Sequence, residues 1–329
     1  MPTENDATET VYAVMIGTGA MTPGIAAEYA RVGPTQIAGR DDTKIAAALD
    51  TAHRALTSLV NEQLLDPAEA AAAHARLSGT TIDNADYARA TVVVESIVED
   101  LTAKQALFAL LDARTSPTTL LCSNTSSLPI TAIAAECTHP ERVIGTHYWN
   151  PPHLLPLVEV IPGERTSPET VAAVRALLGR MEKEPVQVRR EVPGFIWNRL
   201  QLGLLRECLW LVSNGVATPE DIDAILERGL GRRWSLTGPF TTVRLGGSHV
   251  FTRIAEELFP EFAAEPVFPD SWQEILTTSR PDIDSATARA KRERALAALR
   301  RNDLEMAGDL NHEGTKSTKE EREEEKEAR

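Results

Sequence analysis

The chain is short of cysteine, of aromatic residues and of net positive charge, and the first and last of these shortages each remove a class of function. Its three cysteines, Cys122, Cys137 and Cys208, are widely spaced, so they make neither a disulfide framework nor a clustered metal-ligand set. A reducing compartment suits them. With 34 Lys and Arg against 48 Asp and Glu, the formal net charge of −14 works against binding to nucleic acid or an anionic membrane surface. No apolar run reaches the length that crosses a bilayer, and the opening MPTENDATET has neither the basic start nor the apolar stretch of a secretory leader. These absences predict a soluble, cytoplasmic protein with no nucleic-acid or membrane partner. His53, His74, His139 and His249 lack ligand spacing to one another, so no metal is assigned.

What is present is a chain of 329 residues, 42% hydrophobic, enough for a buried core and two domains. VYAVMI, from Val11, is apolar on both faces, as a parallel strand covered by helices must be. GTGAMTPGIAAEYARVG then turns into a helix that stops at Gly33, and TQIAGRD is a second strand. Thr43 to about Leu77 reads as two helices broken near Asp66 and Pro67. TVVVES and TTLLCSN are two further strands, with the helix LTAKQALFALLDA between them, and ERVIGTHYWNPPHLLPLVEVIP reads as two strands about a turn at Asn150-Pro151-Pro152. A helix at TSPETVAAVRALLGRM and a strand at PVQVRR complete this half. Strands alternating with helices predict an α/β, Rossmann-type doubly wound parallel sheet over 11–190.

From Pro193 the character changes to helix, predicting an all-helical C-terminal domain over 191–310, with disordered tails at 1–10 and 311–329. PGFIWNRLQLGLLRECLWLVSNG is apolar nearly all round and must be buried, in part by another subunit, so a homodimer through the helical domain is expected. Phe195, Asn198, Leu202, Leu205, Leu209 and Val212 share one helical face, where a single amide among apolar side chains needs a partner.

The stretch MIGTGAMTPG has the strand–loop–helix context of a dinucleotide fingerprint. Gly17 permits the tight turn, Gly19 the approach of a pyrophosphate, Ala20 and Met21 line the loop, and Thr22 replaces the third glycine, with Gly24 left for close helix packing. An acidic residue ending the second strand usually holds the NAD ribose. Here Arg40 stands there, suited to the 2′-phosphate of NADP, with Asp41 next, suited to NAD; an Arg40 ion pair with Asp41 or Asp42 is the bland alternative.

With IGTGAMTPGIA, VVVESIVED, SNTSSLPITAIAA, ERVIGTHYWNPPHLLPLVEVIPG, VPGFIWNRL, GVATPEDID and GPF in this order, the sequence resembles the 3-hydroxyacyl-CoA dehydrogenase family. That family includes relatives acting on small hydroxy acids, such as L-gulonate 3-dehydrogenase (lambda-crystallin) and L-carnitine dehydrogenase. The resemblance implies a catalytic His147 paired with Glu159, and Ser126 and Asn198 as residues that bond the substrate oxygen. It likewise implies Glu99, Lys104 and Asn150 as cofactor contacts. The His–Glu pairing has independent support, since two strands folded about His153 set positions 147 and 159 opposite each other.

The implied reaction is NAD(P)-dependent hydride transfer between a 3-hydroxyacyl compound and its 3-oxo form, the acyl group being a free acid or a thioester of CoA or carrier protein. The segment after the second strand is poor in lysine, offering His53, Arg54, His74 and Arg76, which argues against CoA. Arg232 and Arg233 can fork onto a free carboxylate or lie as surface arginines. Two other readings stand beside this one: a catalytically silent nicotinamide-binding protein, and aldehyde oxidation on the same scaffold.

Overall fold

A computed structural model describes residues 10–264, 268–279 and 286–305. The chain forms two units, one running to Ile196 and resuming at Arg289, the other Trp197–Ala288. The expected helical domain of 191–310 thus differs at both ends: Phe195 packs in the core of the first unit, and the last described helix, 286–305, returns to it through buried Ala297. The expected tails lie outside the described residues, Thr10 excepted.

The first unit is built on eight strands, β1 Ala13–Ile16, β2 Thr35–Gly39, β3 Leu77–Thr81, β4 Val92–Glu95, β5 Leu120–Ser123, β6 Val143–Tyr148, β7 Leu157–Pro162 and β8 Glu184–Gln187. They lie in the order β3-β2-β1-β4-β5-β6-β7-β8. Neighbours are parallel except β6 and β7, which run antiparallel because a short turn joins them. The doubly wound sheet and the helical segment after it are the architecture the sequence predicts. β3 was not expected: LSGTT is a half-exposed edge strand with no apolar alternation, and pairing with β2 supplies what its own sequence does not.

Seven helices lie between and after the strands: α1 Thr22–Val32, α2 Asp42–Asn61, α3 Pro67–Arg76, α4 Leu101–Arg114, α5 Ile130–Ile133, α6 Pro168–Arg180 and, in the second unit, α7 Trp197–Ser213. Side chains of Asp41, Asp66, Asp100 and Ser167 accept backbone N–H bonds at the starts of α2, α3, α4 and α6. Two apolar cores cover the sheet, one holding Met15, Tyr29, Ile37, Val94 and Ile144, the other Val14, Val93, Phe108, Leu121 and Phe195.

The second unit consists of α7, α8 Pro219–Ile225 and the further helices Gly231–Trp234, Pro239–Gly246, Ser248–Leu258 and Asp270–Thr278. Within the single chain α7 is buried on one side only. Leu209 is its buried residue, while Leu200, Leu202 and Leu204 are exposed. Phe195 also leaves the proposed helical face, because it precedes the helix with a φ of 50°. Among the described residues no helix is long and apolar enough to cross a membrane.

Candidate active site

The antiparallel ladder of β6 and β7 sets His147 directly opposite Glu159. Their side chains meet at 2.7 Å, His147 Nδ1 to Glu159 Oε2, with both residues buried. A carboxylate only accepts, so Nδ1 carries the proton and donates, leaving Nε2 as the nitrogen available for other chemistry. The second carboxylate oxygen, Oε1, accepts from the backbone N–H of Ile196 at 2.9 Å. Gly194 and Phe195, with φ of 76° and 50°, bend the chain so that this amide reaches Glu159. The Phe195 ring stands 5.8 Å from the imidazole and closes one side of it.

The loop after β5 reaches the same strand. Asn124 Oδ1 accepts from the N–H of Tyr148, one residue past His147, at 2.8 Å. Glu99 then organises Ser126 and its neighbours: Oε1 accepts from Thr125 Oγ1 (2.6 Å), Ser126 N (2.9 Å), Ser127 N (3.0 Å) and Ser127 Oγ (3.1 Å). Burial works against the charge of Glu99, but the Thr125 hydroxyl, Lys104 and these amides outweigh it and hold the carboxyl below its ordinary range. Lys104 is buried, with Nζ 2.5 Å from Glu95 Oε1 and 3.4 Å from Glu99 Oε2. Ser123 Oγ donates to Glu95 Oε2 at 2.7 Å. The implied cofactor residues Glu99 and Lys104 are thereby joined in one network under the loop that carries Ser126.

At the glycine loop, Gly17 has a φ of 122°, and a Cβ there would stand 2.5 Å from the Ser96 carbonyl oxygen. Only glycine fits between β1 and the end of β4. Gly19 and Ala20 are exposed, and no protein atom lies within 4 Å of where a Gly19 Cβ would be. The α1 N-cap, Met21, makes no side-chain cap bond, so the amides of Thr22 and Gly24 are left uncapped by it, and Pro23 between them has no N–H to cap. The hydroxyl of Thr22 is buried without a hydrogen-bond partner. Open space over a glycine, uncapped amides and an orphaned hydroxyl fit a dinucleotide pyrophosphate at this loop. A Cβ on Gly24 would lie 2.6 Å from Pro152 Cγ, so Gly24 serves contact between α1 and the turn that carries Asn150.

At the end of β2 Arg40 is exposed, whereas the Asp41 carboxylate accepts from Lys44 N at 2.8 Å as the cap of α2. Asn150 is exposed and precedes a cis peptide to Pro151. Asn198 sits half-buried in the first turn of α7, and Arg232 and Arg233 are exposed, all three in the second unit. Arg54 bonds Asp50 and Thr51, and Arg76 bonds the Ala30 and Arg31 carbonyls. His53 and His74, which sequence spacing keeps apart, are brought together by α2 and α3, Nδ1 to Nδ1 at 2.7 Å with stacked rings. Among the described residues no group of three or more metal-ligating side chains gathers. Sequence reasoning missed Glu95, Asn124 and Phe195. For Glu95 a signal exists, an acid ending a buried strand with a lysine nine residues on.

Residues 12–192 match the 3-hydroxyacyl-CoA dehydrogenase NAD-binding domain and residues 194–280 the C-terminal domain of that family. A 5-formyl-3-hydroxy-2-methylpyridine 4-carboxylate 5-dehydrogenase of Mesorhizobium japonicum is 36% identical over 247 residues, 74% of this chain and 78% of that protein. L-carnitine dehydrogenase of Pseudomonas putida is 37% identical over 67% of each chain. The crystal structure of a 5-formyl-3-hydroxy-2-methylpyridine 4-carboxylic acid 5-dehydrogenase, an NAD+-dependent dismutase, superposes with a TM-score of 0.81 at 29% identity, covering 89% of this chain and 98% of that one. With both domains matched in order over most of its length, the chain belongs to the 3-hydroxyacyl-CoA dehydrogenase family, NAD-binding oxidoreductases of the hydroxyacyl and hydroxy-acid dehydrogenase type.

Proposed function

We propose that the protein interconverts a small free 3-hydroxy acid and its 3-oxo form, with His147 as the acid–base residue; the observation that carries this is the buried 2.7 Å bond from His147 Nδ1 to Glu159. A bound nicotinamide dinucleotide supplies the hydride acceptor. Gly17, Gly19, Ala20 and Met21 hold its pyrophosphate at the start of α1, and Asn150 its nicotinamide end. In the oxidative direction His147 Nε2 takes the hydroxyl proton as hydride leaves the carbon, and Glu159 stabilises the imidazolium that results. The Ile196 amide keeps the carboxylate from turning away. In reverse, Nε2 returns the proton. Ser126 bonds the substrate oxygen.

A free acid is preferred over a CoA thioester because Arg54 and Arg76 are engaged within the protein rather than free for a nucleotide phosphate. Exposed Arg40, beside an Asp41 committed to its helix, supports use of NADP as well as NAD. The exposed leucines 200, 202 and 204 of α7 support a homodimer through the helical unit, and the free cysteines a cytoplasmic setting. The test is oxidation of NADH and NADPH with small 3-oxo acids beside acetoacetyl-CoA. Turnover of the thioester alone overturns the free-acid reading, and a rate with NADPH below a hundredth of that with NADH overturns the role given to Arg40 (about 2.7 kcal/mol of discrimination).

A second reading, aldehyde oxidation, is favoured by the similarity to the pyridine-carboxylate dehydrogenase. There the same Nε2 draws a proton from a water that adds to the aldehyde carbon, and hydride leaves the hydrate. Formation of a carboxylate product from an aromatic aldehyde and NAD+ would establish it.

A further inference from the structure

The helix over 286–305 lies beyond residue 280, where the match to the family's C-terminal domain ends. Ala297, fully buried, seats it among Ala27, Ala30, Leu56 and Leu154. Nearly one turn further on, the buried Arg300 donates through Nη1 to the His153 carbonyl and stands 3.8 Å from Glu28 Oε1. Lys183, also buried, donates through Nζ to the carbonyls of Pro152 at 2.7 Å and Leu155 at 3.2 Å, and pairs with Glu28 Oε2 at 3.3 Å. Arg31 completes the set at 3.0 Å from the same oxygen. Three cations thus surround one carboxylate, and two of them spend their donors on the carbonyls of residues 152, 153 and 155.

A buried ion cluster is poor value as a stabiliser, since desolvation offsets most of its attraction. What it does supply is directional fixing of a short stretch of backbone. That stretch is the turn between the two strands of the His147–Glu159 pair: Pro152 follows His147 by five residues, and Leu155 precedes Glu159 by four. The same turn rests on the first turn of α1, with Pro152 Cγ and His153 Nδ1 at 2.6 and 3.2 Å from the position of a Gly24 Cβ. One clamp therefore faces the catalytic ladder on one side and the cofactor helix on the other.

We propose that Arg300 and Lys183 are positioning residues: by pinning the turn 152–155 they hold His147 against Glu159 and Asn150 over the cofactor loop, which makes the C-terminal helix part of the active-site scaffold. The proposal rests on the role given to His147 above. Arg300→Gln and Lys183→Met, with Arg300→Lys as the conservative partner, test it in the full-length protein well below each variant's melting temperature. The expected result is a kcat reduced about tenfold to a hundredfold with KM changed far less, partly restored in Arg300→Lys. A second readout needs no substrate: the downfield NMR signal of the His147 Nδ1–H proton, bonded to Glu159, moves or broadens in Arg300→Gln. Variants that melt earlier yet keep wild-type kcat and an unmoved His147 signal overturn the proposal. If no substrate turns over in the wild type, the reaction reading fails and the NMR signal alone decides this one, an unmoved signal overturning it.

Discussion

In the first unit Val14, Val93 and Leu121 on one face of the sheet, and Met15, Val94 and Cys122 on the other, are closed off from solvent. In the second unit the described buried hydrophobics are Leu209, Ile222, Ala263 and Trp272, while Leu236 and Phe240 are 87% and 89% exposed. The second unit is nonetheless well formed locally: Thr218 and Asp221 make a reciprocal capping box, and Glu207 accepts from the amide of Ala263. The difference separates two uses of apolar sequence. One unit spends it on an interior that holds charged pairs such as His147–Glu159 and Lys104–Glu95, and the other leaves it on helix faces that a second copy can cover.

The contrast is broken most directly at the chemistry. His147→Gln keeps a donor for Glu159 but no group that cycles a proton, and turnover is expected to fall about 10²- to 10⁴-fold with the fold intact, as steady-state rates and circular dichroism will check. Stability should divide along the same line. Phe108→Ala empties a fully buried site of the first unit and should cost about 3–5 kcal/mol in urea denaturation, whereas Leu202→Ala, at an exposed site, should stay within about 0.5 kcal/mol for the monomer. Leu202→Glu should then lower the molecular mass seen by light scattering at micromolar concentration from dimer to monomer. A monomeric wild type would remove that half of the contrast.

These differences also decide what the sequence could reveal. VYAVMI and TVVVES read as buried strands because continuous apolar runs need two covered faces, and the turn at Asn150-Pro151-Pro152 sets the spacing that brings 147 and 159 opposite each other. Local pattern sufficed there because the partners are joined by a short hairpin. It failed for β3, whose strand character comes from the edge of β2. The clamp of Glu28, Lys183 and Arg300 was illegible for another reason. Its members lie 155 and 117 residues apart in sequence, and ion contacts at that range leave no periodic trace. His53 and His74 met for the same reason, through packing of α2 on α3.

The last expected effect concerns acid. In the first unit His153 has a buried Nδ1 without a hydrogen-bond partner. Burial depresses its imidazole from 6.5 to about 4; the Glu28 carboxylate works in the opposite direction, and Lys183 and Arg300 add to the depression. Because the unfolded chain takes up this proton near pH 6.5 and the folded one only near pH 4, the unfolded state binds more protons across that window. Stability therefore falls as pH falls from 6.5 towards 4, by about 3 kcal/mol at the lower end. The low carboxyl of Glu28, held by Lys183, Arg300 and Arg31 despite its burial, adds loss of the same sign on further acidification. Only the difference between variants isolates His153, so urea denaturation at pH 7 and pH 4.5 is to be compared for wild type and His153→Asn. The variant should lose much less stability than wild type between these two values. Equal losses would show that the acid sensitivity belongs to other groups, and that His153 takes up its proton as readily in the folded protein as in the unfolded chain.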